Sequence, residues 1–160
     1  MRDRSTETTN LLNPAFCGLV YASIVSGYNS KSKSPIPFYL PYVLMPIILH
    51  RESRMLIPKS SITKFHSWLQ NTEEIKVGLA ERASGLKPFV SEAAMFLHGQ
   101  GQINSDSELG IKLVKQSALN SAARDFPMIG EYLKKARTLG SMCGKNNSAI
   151  SIMAVLGVQL

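Results

Sequence analysis

Several groups of side chains in this sequence are of types that carry chemistry, and the spacing of each decides what it can do. Gly140-Ser-Met-Cys-Gly-Lys-Asn-Asn comes nearest to a phosphate-binding loop. It has one residue too few between its glycines and no hydroxyl after the lysine to reach a magnesium ion. A glycine-rich helix end accounts for it instead, given the preference of C-caps for glycine. His50, His66 and His98 stand far apart, and neither Cys17 nor Cys143 has a partner at C-x-x-C or H-E-x-x-H spacing. No metal and no cofactor is therefore expected. His66, between Phe65 and Trp68, reads as a surface or hydrogen-bonded structural histidine. Cys17 lies in an apolar stretch and reads as an inert buried thiol, since a nucleophile there would need a base brought to it by the fold. Glu73, Glu74 and Glu81 could pair as carboxylates, but at a helix start they are explained by the helix dipole and by solubility. The expectation is a chain that is not an enzyme.

Two basic sets are better suited to binding. Arg51 and Arg54 fall three apart after an apolar segment and could grip a phosphate or carboxylate together, although two solvated arginines at a helix end are the simpler account. With Tyr39 and Tyr42 they are the candidate partner-interface residues. Lys134, Lys135, Arg137 and Lys145 could lie along a nucleic-acid backbone, although a solvated helix face explains such a run as well. The formal net charge is +7, and its placement is uneven. Bases dominate from Lys31 to Lys64 and from Lys112 to Lys145, while the stretch between is acidic.

The elements that must position these groups follow from composition and pattern. The chain has 160 residues, 44% of them hydrophobic and 18% charged, which suits one folded domain with a single core. Two cysteines cannot make a secreted disulfide framework, and no signal-like segment opens the chain, so a reducing cytoplasm is the expected compartment. The longest apolar run, Pro35 to Leu49, contains four prolines and is short of the roughly 20 residues needed to span a bilayer, so no membrane association is expected.

Residues 1–12 read as a flexible N-terminus. Asn13-Pro14 marks a helix start, and Phe16, Val20, Ile24 and Tyr28 set an amphipathic stripe up to Asn29. Phe38 to Leu49 reads as a helix that is apolar on every face and hence enclosed, bent or divided at Pro46. Ser61 to Asn71, Thr72 to Leu86 and Pro88 to His98 read as three short helices. A small hairpin follows around Ser105-Asp-Ser, then a helix from Pro127 to Met142 and an apolar segment, Ala149 to Val158, that periodicity cannot assign to helix or strand.

Three helices then a hairpin is the order of a winged helix, so the expected fold is mainly α, with a winged-helix-like core over 58–115 flanked by the N-terminal helices and the C-terminal apolar segment. A DNA-reading use of that core would place Pro88 to His98 in the major groove. That segment carries Glu92 and no Lys or Arg, so protein contact suits it better.

Asn10-Leu-Leu-Asn-Pro-Ala-Phe-Cys, Pro35-Ile-Pro-Phe with Leu44-Met-Pro-Ile-Ile-Leu-His50, Phe65-His-Ser-Trp-Leu, Gly78-Leu-Ala-Glu-Arg-Ala and Asn147-Ser-Ala-Ile-Ser-Ile-Met-Ala-Val-Leu-Gly-Val occur in this order. Together they resemble the middle components of three-component ABC systems, bacterial conflict operons that include the Lamassu type, over about Asn10 to Val158. The resemblance implies an SMC-like ABC ATPase that senses foreign DNA and an effector that is often a nuclease, with this small protein linking or regulating the two in a hetero-oligomer. Contact with DNA would come through the complex. It supplies no catalytic residues. The alternative is an independent winged-helix DNA-binding regulator using the two basic blocks.

Overall fold

The computed structural model describes residues 12–106, 109–114, 117–146 and 148–159; the expected flexible N-terminus lies, apart from Leu12, outside them. The architecture is mainly helical with one small antiparallel sheet, as expected. Helix α1 (Pro14–Lys31) begins as the sequence indicates: the Asn13 side-chain oxygen accepts from Ala15 N at 2.8 Å and Phe16 N at 3.4 Å, with proline at the first position. It is not the amphipathic surface helix that its stripe suggests. From Cys17 to Tyr28 every residue but Leu19 is buried, Ser23 and Ser26 included. The reason lies in the residues between the apolar positions, because Gly27 lets a second helix lie on what would have been the polar face.

That second helix is α7 (Pro127–Gly144), and the α1–α7 crossing is the most extensive contact in the molecule. A Cβ on Gly27 would overlap the Arg137 carbonyl, and one on Gly140 would overlap the carbonyl of Ile24. The backbones touch, which only glycine permits.

The apolar segment divides differently from expectation. Pro35 and Phe38 lie outside the helix: Ile36–Pro37 is strand β1, and helix α2 runs Pro41–Leu49, straight through Pro46. The break falls at His50, four residues later, where the backbone turns extended before α3 (Arg51–Met55). Pro46 has no N–H to offer the Tyr42 carbonyl, a loss of one bond that a helix enclosed on nearly every side can carry. Val43 to Ile48 are all buried, so the enclosure expected for this helix is observed.

Over 58–115 the order of elements departs from three helices and a hairpin. Helix α4 is only Phe65–Gln70, a 3₁₀ turn spans Glu73–Lys76, and Leu79–Gly99 form one helix, α5. Its start is set by Gly78, whose left-handed backbone (φ 71°) ends the 3₁₀ segment. Pro88, read as a helix start, sits inside α5; the carbonyl it cannot serve belongs to Ser84, on the exposed side. The hairpin is present as β2 (Ile103–Ser105) and β3 (Gly110–Leu113), with Ile103 opposite Leu113 and Ser105 opposite Ile111. Residues 107 and 108 of its turn lie outside the described residues. The third strand is β1, pairing Ile36 with Ile111, so the sheet order is β1-β3-β2 with Pro37 on an edge strand, where no ladder N–H is missed. Val90, Ala93 and Leu97 of α5 join the same buried cluster as α1, α2 and α7.

Helix α6 (Ser117–Asp125) packs on α7, and α8 (Ala149–Leu156) resolves the ambiguous C-terminal segment as a helix. Its limits are chemical: the Ser148 hydroxyl accepts from Ser151 N at 3.1 Å, and Gly157 closes it at φ 70°. Ile152, Leu156 and Val158 are buried, but Ile150 is 75% exposed, so the enclosure expected for this segment covers one face only. Among the described residues no helix is long and apolar enough to cross a membrane.

Candidate partner-binding surfaces

The two arginines paired by the sequence are used in opposite ways. Arg51 is exposed at the start of α3, whereas Arg54 is 8% exposed. The Arg54 Nη1 donates to the Ile48 carbonyl at 2.9 Å, and its guanidinium lies 3.9 Å from the centroid of the Tyr132 ring, a cation–π contact that ties α3 to α7. Its Nε is buried without a hydrogen bond. Arg54 is therefore an internal cross-brace, not a rim charge. Tyr42 is half-buried and its hydroxyl meets Ser91 Oγ at 2.7 Å, joining α2 to α5. Tyr39 is half-buried and edge-on to Phe38, which is 46% exposed.

The basic set on α7 also separates. Lys135 Nζ donates to the Ile57 carbonyl and Lys145 Nζ to the Ser61 carbonyl, each at 2.5 Å, so both fasten the connection between α3 and α4. Lys134 and Arg137 face another side, toward α1 and α6. The four do not form one stripe along which a nucleic-acid backbone could run.

The glycines of the phosphate-loop lookalike lie inside α7, where Gly140 and Gly144 pack on α1. Both cysteines are buried. Burial, with a smaller contribution from Glu92, pushes the Cys17 thiol up to about 11, and burial alone raises Cys143. Neither offers a thiolate near neutral pH. Among the described residues no group of three or more His, Cys, Asp or Glu side chains could hold a metal ion.

One concavity had no signature in sequence. It is a groove of about 520 Å³ lined by Ile62, Lys64, Phe65, His66, Met142 and Lys145, with Ser67 and Asn146. His66 is its organiser. The Asn146 carbonyl oxygen accepts from Ser148 N at 3.1 Å, which leaves the amide nitrogen to donate to His66 Nδ1 at 2.8 Å. The ring proton then sits on Nε2 and is donated to Ser151 Oγ at 3.0 Å. One side chain thus joins α4, the α7–α8 connection and α8, consistent with the structural role the sequence assigns it. In the groove wall Ile62 is 84% exposed; Ile150, beside Ser151 in α8, is 75% exposed. Among the described residues, the charged ones lining the groove are Lys64 and Lys145. An exposed apolar surface framed by cations has the makings of a protein contact with an acidic rim. Residues some 80 apart in sequence make it, so no local pattern could have pointed to it.

No curated protein and no solved structure matches the chain. The model of the family described as ABC-three component (ABC-3C) system Middle Component 3 matches residues 1–160, and the chain belongs to that family.

Proposed function

We propose that this chain is a non-catalytic cytoplasmic subunit of a bacterial defence complex, where it links an SMC-like ABC ATPase to an effector nuclease and regulates the latter. The observation that carries this reading is the family match over residues 1–160, which makes the chain an accessory subunit of a multi-component ABC system. The ATPase, nuclease and defence assignments extend it by resemblance. Two features support a docking role. Isolated exposed apolar side chains are ordinary on a monomer, but Ile62 lines a groove whose charged residues, among those described, are the cations Lys64 and Lys145. Neither buried thiol is poised for nucleophilic chemistry.

In this reading the groove face meets an acidic, apolar surface of the ATPase, with the isoleucines giving affinity and the lysines orientation. Co-expression with the neighbouring ABC component, tagged, should recover this chain in a stable complex through gel filtration. Defence against phage or plasmid should disappear when this gene alone is deleted. Failure of the wild-type chain to co-purify with the ATPase would remove the docking role, and ATP hydrolysis by the isolated chain would remove its non-catalytic character.

A further inference from the structure

Helix α7 presents a second basic feature on the face turned away from Ile57. Where α1, α6 and α7 meet there is a cleft of about 170 Å³, into which α1 contributes Ser23 and Ser26, α6 contributes Asn120, and α7 contributes Lys134 and Arg137. The helical periods explain the convergence: Ser23 and Ser26 are three apart, as are Lys134 and Arg137, so each pair shares a face. Gly130 admits α6 to the junction, since a Cβ there would lie 2.9 Å from the Ala123 carbonyl oxygen.

The polar groups in this cleft are poorly matched to one another. The Ser26 hydroxyl accepts from Arg137 Nη1 at 2.5 Å, which fixes the guanidinium at the wall. Ser23 is only 3% exposed, and its hydroxyl makes no hydrogen bond among the described residues. Lys134 and Asn120, both exposed, likewise have no hydrogen bond or ion pair among them. The Ser23 hydroxyl opens onto the cleft as an unused donor, and two cations facing the same space repel. Among the described residues no carboxylate lines the cleft to offset them. A ligand that relieves that repulsion and uses those donors must be anionic and rich in acceptors. The cleft is smaller than the roughly 300–1,000 Å³ of ordinary small-molecule pockets. It suits one compact oxyanion better than a nucleoside, and four donor side chains on three helices match a tetrahedral oxyanion better than a planar carboxylate.

We propose that this cleft binds a single phosphate group, with Lys134 and Arg137 supplying charge and Ser23 and Asn120 supplying hydrogen bonds. The phosphate could be free or terminal, or it could belong to a nucleic-acid backbone, and two probes separate these sources. Binding of inorganic phosphate to the full chain is measured by calorimetry against chloride at matched ionic strength. Binding of an oligothymidine of about 12 nucleotides, without terminal phosphates, is measured by fluorescence anisotropy.

Lys134→Gln and Lys135→Gln remove the same charge from adjacent positions on one helix, but only Lys134 lines the cleft. Lys134→Gln should weaken binding by about tenfold or more, while Lys135→Gln leaves it within about twofold, folding being checked by circular dichroism. Ser23→Ala, which changes no charge, should weaken it by about three- to tenfold. Loss of the oligonucleotide alone with Lys134→Gln assigns a phosphodiester. Loss of phosphate as well assigns the free or terminal group. Equal weakening by Lys134→Gln and Lys135→Gln would reduce the cleft to diffuse surface charge and overturn the proposal, as would binding of neither probe or insensitivity to Ser23→Ala.

Discussion

The α1–α7 crossing and the α4–α8 face both involve α7, the second only through its C-terminal end, yet they are built in opposite ways. At the crossing the contact is backbone on backbone, with glycines at the points of closest approach and almost nothing exposed. At the α4–α8 face the elements are short and joined by side-chain hydrogen bonds through His66, and isoleucines face water. The first arrangement leaves no room for an added atom, whereas the second tolerates change and keeps apolar surface available. Stability is concentrated in one region and contact chemistry in the other.

The largest effect should come from the crossing. Gly140→Leu forces a side chain against the Ile24 carbonyl, and relief requires the two helices to separate along their length. Overpacking against backbone should cost about 3 kcal/mol or more, a large part of the roughly 5–15 kcal/mol that holds a typical domain together. Urea unfolding should show the midpoint collapse; an unchanged midpoint would mean that α1 and α7 do not touch there.

Next in size is the contrast between the two arginines. Arg54→Glu removes the hydrogen bond to Ile48 and the contact with Tyr132, and leaves a carboxylate without a partner in a buried position. A loss of about 3–5 kcal/mol is expected. Arg51→Glu, at an exposed site, should stay within about 0.5 kcal/mol of wild type. Equal stability of the two variants would return Arg54 to the surface.

The α4–α8 face is tested by Ile62→Asp with Ile150→Asp. Both positions are largely exposed, so each change should alter folding stability by no more than about 0.5 kcal/mol. Recovery with the ABC component should nevertheless fall about tenfold or more, since an apolar anchor contributes about 1–2 kcal/mol to an interface. Undiminished recovery would exclude this face from the interface.

How much of this could be read from the sequence follows the same division. Asn13-Pro14 dictates the start of α1 through a cap and a fixed φ, and the all-apolar composition of α2 dictates its enclosure; both are local signals. The fusion over Pro88 was not legible, because a proline that starts one helix and a proline carried inside another look alike until the exposure of the Ser84 carbonyl is known. The C-terminal segment was ambiguous because every period fits an apolar run, although Ser148 and Gly157 were the caps of a helix all along. Arg51 and Arg54 looked equivalent, and only Tyr132, 78 residues away from Arg54 in the chain, separates them. The His66 groove and the Lys134 cleft are assembled from distant segments; the one hint was the pair Ser23 and Ser26, polar residues three apart in an otherwise apolar helix.

The smallest expected effect concerns the hinge between α2 and α3, which belongs to the rigid region but is capped by a titratable side chain. His50 Nδ1 accepts from Ser53 N at 3.4 Å and meets Ser53 Oγ at 2.8 Å, while Nε2 lies 3.2 Å from Glu52. This uses the neutral ring, with its proton on Nε2. Burial, then the Arg82 charge, lowers its pKa from the ordinary 6.5, against the opposing pull of Glu52. A histidine whose folded pKa lies below its unfolded one contributes stability that is present above about pH 6.5 and is lost as the pH falls through the lower, folded value, because the unfolded chain takes up the proton first. Protonation converts Nδ1 from acceptor to donor and removes the cap. The urea midpoint should therefore fall slightly between about pH 7.5 and about pH 5.5, on either side of the ordinary histidine pKa of about 6.5. His50→Asn keeps a capping oxygen but cannot titrate, so the fall should be smaller in the variant than in wild type. Since His66 and His98 are present in both proteins, the difference between the two slopes isolates His50. Identical slopes would show that the cap does not depend on the neutral ring.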